Sequence, residues 1–459
     1  MKERIVILGG GESGVGAAIL ACQKGYEVFL SDGGNLAAER RRTLKGQKID
    51  FEEGGHSEEL ILNASIVVKS PGIPDSAPLV KKIVTKGISV ISEIEFAYRF
   101  IEKAKVIAIT GTNGKTTTAM LTYHLLKTAG YKVALGGNVG KSLAGLVAKG
   151  GYHYYVVEVS SFQLDGIQNF RPDVAVLLNI TPDHLDRYEY NFSKYVTSKF
   201  RIIENLTNEQ AFVYCADSQP VTEEISRRKI EASMFAMTAS NNNKLSAYLE
   251  EDHLIFNFQY KEASEEFQIP VSEISLIGKH NMVNSMAAVL SSLCMDVPME
   301  SVMKGLKNFK NAPHRLEFVT EIDGTAFIND SKATNVDSVY YALDGVKGNI
   351  IWIAGGVDKG NDYSQIEKLV KNKVKGLICM GKDNSGLTDF FGSKLNMIAE
   401  VGSVKEAIKQ AHEWAEEGDV VLLSPACASF DLFNNYEDRG DKFKRAINKL
   451  AKALKTKEA

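Results

Sequence analysis

Val106-Ile107-Ala108-Ile109-Thr110-Gly111-Thr112-Asn113-Gly114-Lys115-Thr116-Thr117 is the stretch that decides the fold. Its apolar start reads as a buried strand, and the glycines at 111 and 114 let the chain turn sharply into a helix opening near Lys115. In such a turn, successive backbone N–H groups point inward and the helix adds the positive end of its dipole, making a cradle for phosphate. Lys115 can reach terminal phosphates, and the hydroxyls of Thr116 and Thr117 suit Mg2+. The spacing departs from G-x-x-x-x-G-K-[ST], because Ile109 stands where the first glycine belongs. It is a variant loop, and the expected ligand is ATP.

Toward the N-terminus a second strand-and-glycine unit appears. Ile5-Val6-Ile7-Leu8 runs into Gly9-Gly10-Gly11-Glu12-Ser13-Gly14, and a later strand, Glu27 to Leu30, ends at Asp32. This satisfies G-x-G-x-x-G with an acid 18 residues past Gly14, a cradle for the diphosphate of a dinucleotide or of a UDP-sugar. Ser70-Pro71-Gly72 stops another short strand, Ser65 to Lys69, and adds a hydroxyl at the same rim.

Toward the C-terminus the alternation continues. Strands are expected at Tyr154–Val159 and Val174–Ile180, with helices from Ser193 to about Glu204 and from Asn281 to Leu293. Residues 221–275 read as a polar, irregular or β-rich excursion. Beyond Asn311-Ala312-Pro313, strands recur at Ala326–Asn329, Ile350–Ala354, Leu377–Met380 and Val420–Leu423. The expectation is an α/β chain of three domains: a Rossmann-like block over 1–103, a phosphate-loop block over 104–311 and a second Rossmann-like block over 312–459.

Composition narrows the class. The 459 residues carry a net charge of −3, so no broad basic surface asks for nucleic acid or an anionic membrane. No run approaches the roughly 20 apolar residues of a membrane span, and the start is too polar for a signal peptide. Five scattered cysteines without a C-x-x-C pair fit a reducing cytoplasm.

Two polar clusters follow the phosphate loop. Glu158 ends the Tyr154 strand, on the rim where the loop lies, and suits Mg2+ held through one carboxylate and several waters. Thr181-Pro182-Asp183-His184-Leu185-Asp186-Arg187-Tyr188 follows the next strand and suits a second metal or the phosphate in transfer. Lys199, on the helix from Ser193, reads from its surroundings alone as a solvated lysine.

Seven segments in order, TGTNGKTT, VEVSSFQL, NITPDHLDRY, GKHNMVNSMAA, PHRLEF, NDSKATN and SPACASFD, resemble the Mur ligases, the ATP-dependent amino-acid ligases of peptidoglycan precursor synthesis. They span essentially the whole chain, and SSFQL, DHLDRY and PACASFD look most like the D-glutamate-adding branch. The resemblance implies transfer of phosphate from ATP to the carboxylate of UDP-N-acetylmuramoyl-L-alanine, followed by attack of the D-glutamate amine on the acyl phosphate. By matching position it implies that Lys115, Asn138, Glu158, His184 and Lys199 are catalytic. Of these, Glu158, His184 and a carbamylated Lys199 would join Thr116 and Thr117 around two Mg2+ ions.

It further implies that Gly111, Thr112, Asn113, Gly114, Lys115, Thr116, Thr117, Asn281, Asn284, Arg315 and Asp330 bind ATP. Glu12, Ser13, Asp32 and Ser70 would meet the UDP end, and Lys332, Thr334, Lys359, Ser429 and Tyr436 would meet D-glutamate. Gly33-Gly34 departs from the pattern, since relatives often carry a polar or basic residue after the acid. Small-molecule substrates, no nucleic acid, no membrane span and a monomer complete the expectation. Three alternatives remain at this point. Another Mur-type or folylpolyglutamate-type ligase would answer to a different amino acid. An NAD-dependent oxidoreductase would bind nicotinamide and leave the phosphate loop idle. A non-catalytic nucleotide-binding regulator would leave Glu158, His184 and Lys199 without a task.

Overall fold

The computed structural model describes residues 3–458; Met1, Lys2 and Ala459, at the outer ends of the first and third expected blocks, lie outside it. Among the described residues, short apolar strands alternating with helices build three sheets. The chain forms two compact units, one running through Ser275 and including Met282–Phe309, the other comprising Leu276–Asn281 and Lys310 onward.

The first unit holds two of the sheets. One is five-stranded and parallel, in the order Asp50–Glu53, Glu27–Asp32, Arg4–Leu8, Ile66–Lys69, Ser89–Ser92. The chain runs outward one way from Arg4–Leu8 and then returns to the other side, so the glycine cluster sits at the point where strand order reverses, the usual ligand crevice. In the second sheet Lys105–Thr110 lies between Tyr154–Glu158 and Val174–Leu177, with Ile109 level with Glu158 and Thr110 level with Leu177. Residues 106–110 are fully covered, as a parallel strand with helices on both faces requires.

The excursion over 221–275 proves to be regular structure. Gln219–Ser226 is helical, Ser233–Thr238 extends the parallel sheet, and Ala247–Glu250, His253–Tyr260 and Ala263–Pro270 finish it as an antiparallel edge. The Val174 strand stops at Leu177 rather than Ile180, because the chain leaves the ladder to wrap the phosphate loop: Leu178 N–H donates to Thr110 O and Thr112 N–H to Asn179 O. The Ser193 helix is Phe192–Phe200 and then tightens to a 3-10 turn over Arg201–Ile203.

The two sheets of this unit meet through small residues. Helix Glu12–Gln23 packs on Leu143–Lys149, and a Cβ at Gly16 would collide with the Ser142 hydroxyl, so glycine is required for that approach. At the same seam Glu93 is wholly buried. Its Oε1 accepts from Ala144 N–H at 2.5 Å, and no hydrogen bond to Oε2 is found among the described residues. Burial pushes this carboxyl up to about 7, with the Ala144 N–H opposing and the Glu12 charge adding to the rise. The folded chain therefore holds a proton that the unfolded chain releases near pH 4.5, and stability falls as pH rises from there to about 7. Glu93→Gln is expected to be more stable than the parent at pH 8 by about 1–3 kcal/mol. The difference should close as pH falls toward 4.5, read by denaturant titration at several pH values.

The second unit carries a six-stranded sheet in the order Glu317–Ile322, Thr325–Asn329, Val420–Leu423, Ile350–Ala354, Val374–Met380, Ile398–Val401, antiparallel only at the first pair. Trp352 and Phe391 centre its core on one face, and Phe443 and Ile447 of the helix Tyr436–Glu458 cover the other.

Candidate active site

The phosphate loop is tied down from outside. Gly111 (φ 150°) and Gly114 (φ 86°) take left-handed backbone, and a Cβ at Gly114 would collide with the Asn284 side-chain amide. Asn113 N–H donates to Asn179 Oδ1 at 2.8 Å, while Asn179 Nδ2 donates back to Asn113 O at 3.1 Å. Thr112 Oγ1 donates to Thr181 O and accepts from Thr181 N–H, with the Tyr195 hydroxyl 3.2 Å away. Thr118 Oγ1 donates to Asn284 Oδ1.

Two lysines converge on one carbonyl. Lys115 Nζ donates to Gly111 O (2.8 Å) and Thr112 O (2.7 Å), and Lys199 Nζ donates to the same Gly111 O at 2.8 Å. Lys199 is not the solvated lysine its neighbours in sequence suggest: it is 2% exposed, because its helix packs on Ser161–Leu164 and delivers Nζ under the loop. Burial first, and then the Lys115 charge, hold this amine well below the usual lysine range, against the pull of Asp183, Glu158 and Asp165.

Beside the lysines Glu158 is 2% exposed at the end of its strand. Its Oε2 accepts from Thr116 Oγ1 at 2.7 Å and its Oε1 from Asn138 Nδ2 at 2.8 Å, while Asn138 N–H donates to Glu158 O. Lys115, Thr116, Asn138, Glu158 and Lys199 thus gather around one loop. Thr117 is buried on the next turn position. His184 stands outside this hydrogen-bonded group. It occupies left-handed backbone (φ 51°), lies 3.6 Å from Asp183, and meets the Phe162 ring edge-on.

The first sheet's rim assembles the other sequence-predicted group. Asp32 accepts from Gly10 N–H (2.5 Å) and Gly34 N–H (2.7 Å), the Ser70 hydroxyl lies 3.4 Å from Gly9 O, and Glu12 and Ser13 open the helix after the glycines. Arg187 reaches this rim, donating to Pro71 O while its guanidinium stacks on Phe162.

In the second unit, Asp330 accepts from Leu316 N–H (3.1 Å) and Ser424 Oγ (3.0 Å). Burial raises its carboxyl to about 7, against those bonds and the charges of Arg315 and Arg439. Lys332 Nζ sits 3.7 Å from the centre of the Tyr436 ring, Ser429 is buried, Thr334 is half-buried and Lys359 is exposed. Asn281 donates through Nδ2 to Ile277 O at the start of helix Lys279–Leu293.

Family profiles cover the chain in series: the MurD N-terminal domain matches residues 4–78, the Mur ligase middle domain 109–292, and the Mur ligase glutamate ligase domain 314–427. The UDP-N-acetylmuramoylalanine--D-glutamate ligase of Cytophaga hutchinsonii is 50% identical over 456 residues, covering 98% of this chain and all of that one. Its namesake in Porphyromonas gingivalis strain W83 is 48% identical over 452 residues, covering 98% of this chain and 99% of that one. The chain belongs to the Mur ligase family.

Solved Mur ligases share the fold at low identity. A pseudomurein peptide ligase type C from Methanothermus fervidus aligns with a TM-score of 0.60 at 21% identity over 98% of this chain and 100% of that one. The UDP-N-acetylmuramate-alanine ligase MurC from Thermotoga maritima gives 0.60 at 17% identity over 97% and 99%. Three Mur ligase domains on three sheets agree with the α/β class read from sequence. Sequence reasoning passed over Asn179, Tyr195 and Arg439 in this Mur ligase. The rule that selected Glu158, polar groups at the C-terminal end of a parallel strand, applies equally to Asn179 and would have found it. No helix among the described residues is long and apolar enough to cross a membrane.

Proposed function

We propose that this Mur ligase joins D-glutamate to UDP-N-acetylmuramoyl-L-alanine with consumption of ATP, in peptidoglycan precursor synthesis. The likeness that carries the reading is 46–50% identity, over 98% of the chain, to ligases named for that reaction. The loop amides of residues 111–114 and Lys115 hold the nucleotide phosphates. The acceptor carboxylate takes the γ-phosphoryl group. The amine of D-glutamate then forms a C–N bond at the carbonyl carbon, loses a proton, and the C–O bond to phosphate breaks.

The donor set at the loop fits Mg2+: a hydroxyl and a carboxylate oxygen, Thr116 Oγ1 and Glu158 Oε2, stand 2.7 Å apart. Among the described residues no three His, Cys, Asp or Glu side chains form a metal cluster, so such a site would rely on few carboxylates plus water and phosphate oxygens. When bound, Mg2+ supplies positive charge between the two anions. Lys199, held toward its neutral form, would add CO2 through Nζ with loss of a proton, and His184 and the resulting carbamate would hold a second cation. Asn138 orients Glu158 and meets the acceptor. The family resemblance assigns Asn281, Asn284, Arg315 and Asp330 to ATP, Lys332, Thr334, Lys359, Ser429 and Tyr436 to D-glutamate, and Glu12, Ser13, Asp32 and Ser70 to the UDP end. We place the reaction in the cytoplasm and read the protein as a monomer.

Glu158→Gln is expected to raise the Mg2+ concentration for half-maximal turnover at least about tenfold. A magnesium titration of phosphate release checks this. The test of the function is phosphate release from ATP in the presence of the UDP-muramoyl acceptor and one amino acid at a time. D-Glutamate is expected to stimulate release. Stimulation by L-alanine or a diamino acid instead would assign the chain to another branch of the family.

A further inference from the structure

Asp32 is followed by Gly33-Gly34, which leaves the far end of the first sheet's rim without a side chain from that loop. The space is filled from the next strand. His56, in the turn after Asp50–Glu53, brings its ring against Gly33, where a Cβ would stand 3.1 Å from His56 Nε2. The ring is also held from behind: Nδ1 lies 2.6 Å from Ser31 Oγ, and Ser31 Oγ lies 2.7 Å from Glu52 Oε1.

One hydroxyl proton cannot serve both neighbours of Ser31. Burial pushes the Glu52 carboxyl up, but hydrogen bonds from Ser57 and Ser31, together with the charge His56 carries when protonated, hold the group below its usual range. As a carboxylate Glu52 only accepts, so Ser31 donates to it and His56 Nδ1–H donates to Ser31 Oγ. In its neutral form the ring then carries its lone pair on Nε2, and no hydrogen bond to Nε2 is found among the described residues. Ser31 is fully buried, which fixes the ring's orientation, while His56 itself is exposed.

The position matches a nucleoside. Asp50–Glu53 is two strands from Arg4–Leu8 in the sheet order, and at about 4.8 Å per strand its following turn lies roughly 10 Å from the glycine cluster. That is the scale of the separation between the diphosphate of a nucleotide and its base. We propose that His56 contacts the uridine of the acceptor, with Nε2 accepting an N–H or O–H of the nucleoside, and that Gly33 is bare because the ring occupies its side-chain space. The proposal rests on reading the first sheet's rim as the UDP end of the substrate site.

Calorimetric titration with UDP alone tests it without turnover. His56→Ala is expected to weaken UDP binding about three- to tenfold, the worth of one hydrogen bond. Gly33→Ala, whose Cβ would press on His56 Nε2, should weaken it in the same direction. An acceptor lacking uridine, 1-phospho-N-acetylmuramoyl-L-alanine, separates contact from structure: the difference in KM between parent and His56→Ala should vanish with it. Equal UDP affinity in parent and variant overturns the proposal, as does an equal loss with both acceptors or a parent that binds no UDP. A parent that binds UDP through His56 yet ligates no acceptor contradicts the ligase reading and leaves this contact standing.

Discussion

Lys115→Ala is expected to lose about 10²–10³-fold in kcat, with the fold intact. The magnitude is that of removing one preorganised electrostatic donor from a site where charge is transferred, about 3–4 kcal/mol. Here Lys115 Nζ is already aimed, bonded to Gly111 O and Thr112 O within the loop that receives the phosphates. Gly111 O keeps its bond from Lys199 Nζ when Lys115 is removed, so the melting temperature should change far less than the rate. Steady-state rates and a thermal scan on the same preparation check both halves. Near-normal turnover would remove the lysine from the mechanism.

Lys199→Ala is expected to be nearly inactive and partly rescued by added short carboxylates such as acetate. A buried ammonium beside Lys115 is electrostatically unfavourable, and conversion to a carbamate would reverse its sign and turn the repulsion into attraction. Alanine loses that anion and leaves a space beside Gly111 that a small carboxylate can fill. Lys199→Arg provides the contrast, since it stays cationic, cannot be carbamylated, and should not respond to acetate. Full activity of the alanine variant without additive would contradict the role, and a carbon-13 resonance from labelled CO2 on the parent protein would report the modification directly.

These residues differ in how far the chain announces them. The loop Gly111–Thr117 was legible because its strand, glycines, lysine and threonines are contiguous and each has a local physical meaning. Glu158 was singled out by strand-end geometry, and the strand Tyr154–Glu158 does end there, level with Ile109. Lys199 could not be found that way. Its burial comes from how Phe192–Phe200 packs on another element, and only the resemblance singled it out. Arg439 carries no local signal at all. It lies in a highly charged terminal helix, yet is 1% exposed and joins Ser331, Gly355 and Cys427 by five hydrogen bonds.

Among the strands, Ile350–Ala354 reads plainly because both its faces are covered. Asp50–Glu53, the edge strand that delivers His56, has the sequence DFEE, and nothing in its polarity suggests a strand.

Labelling the acceptor carboxylate with oxygen-18 interrogates the chemistry itself. If the carboxylate is phosphorylated before the amine attacks, the oxygen bridging carbon and phosphorus leaves with phosphate. One labelled oxygen should then appear in each inorganic phosphate formed alongside the amide. Phosphate that carries no label while amide accumulates would contradict activation of the carboxyl group at this loop.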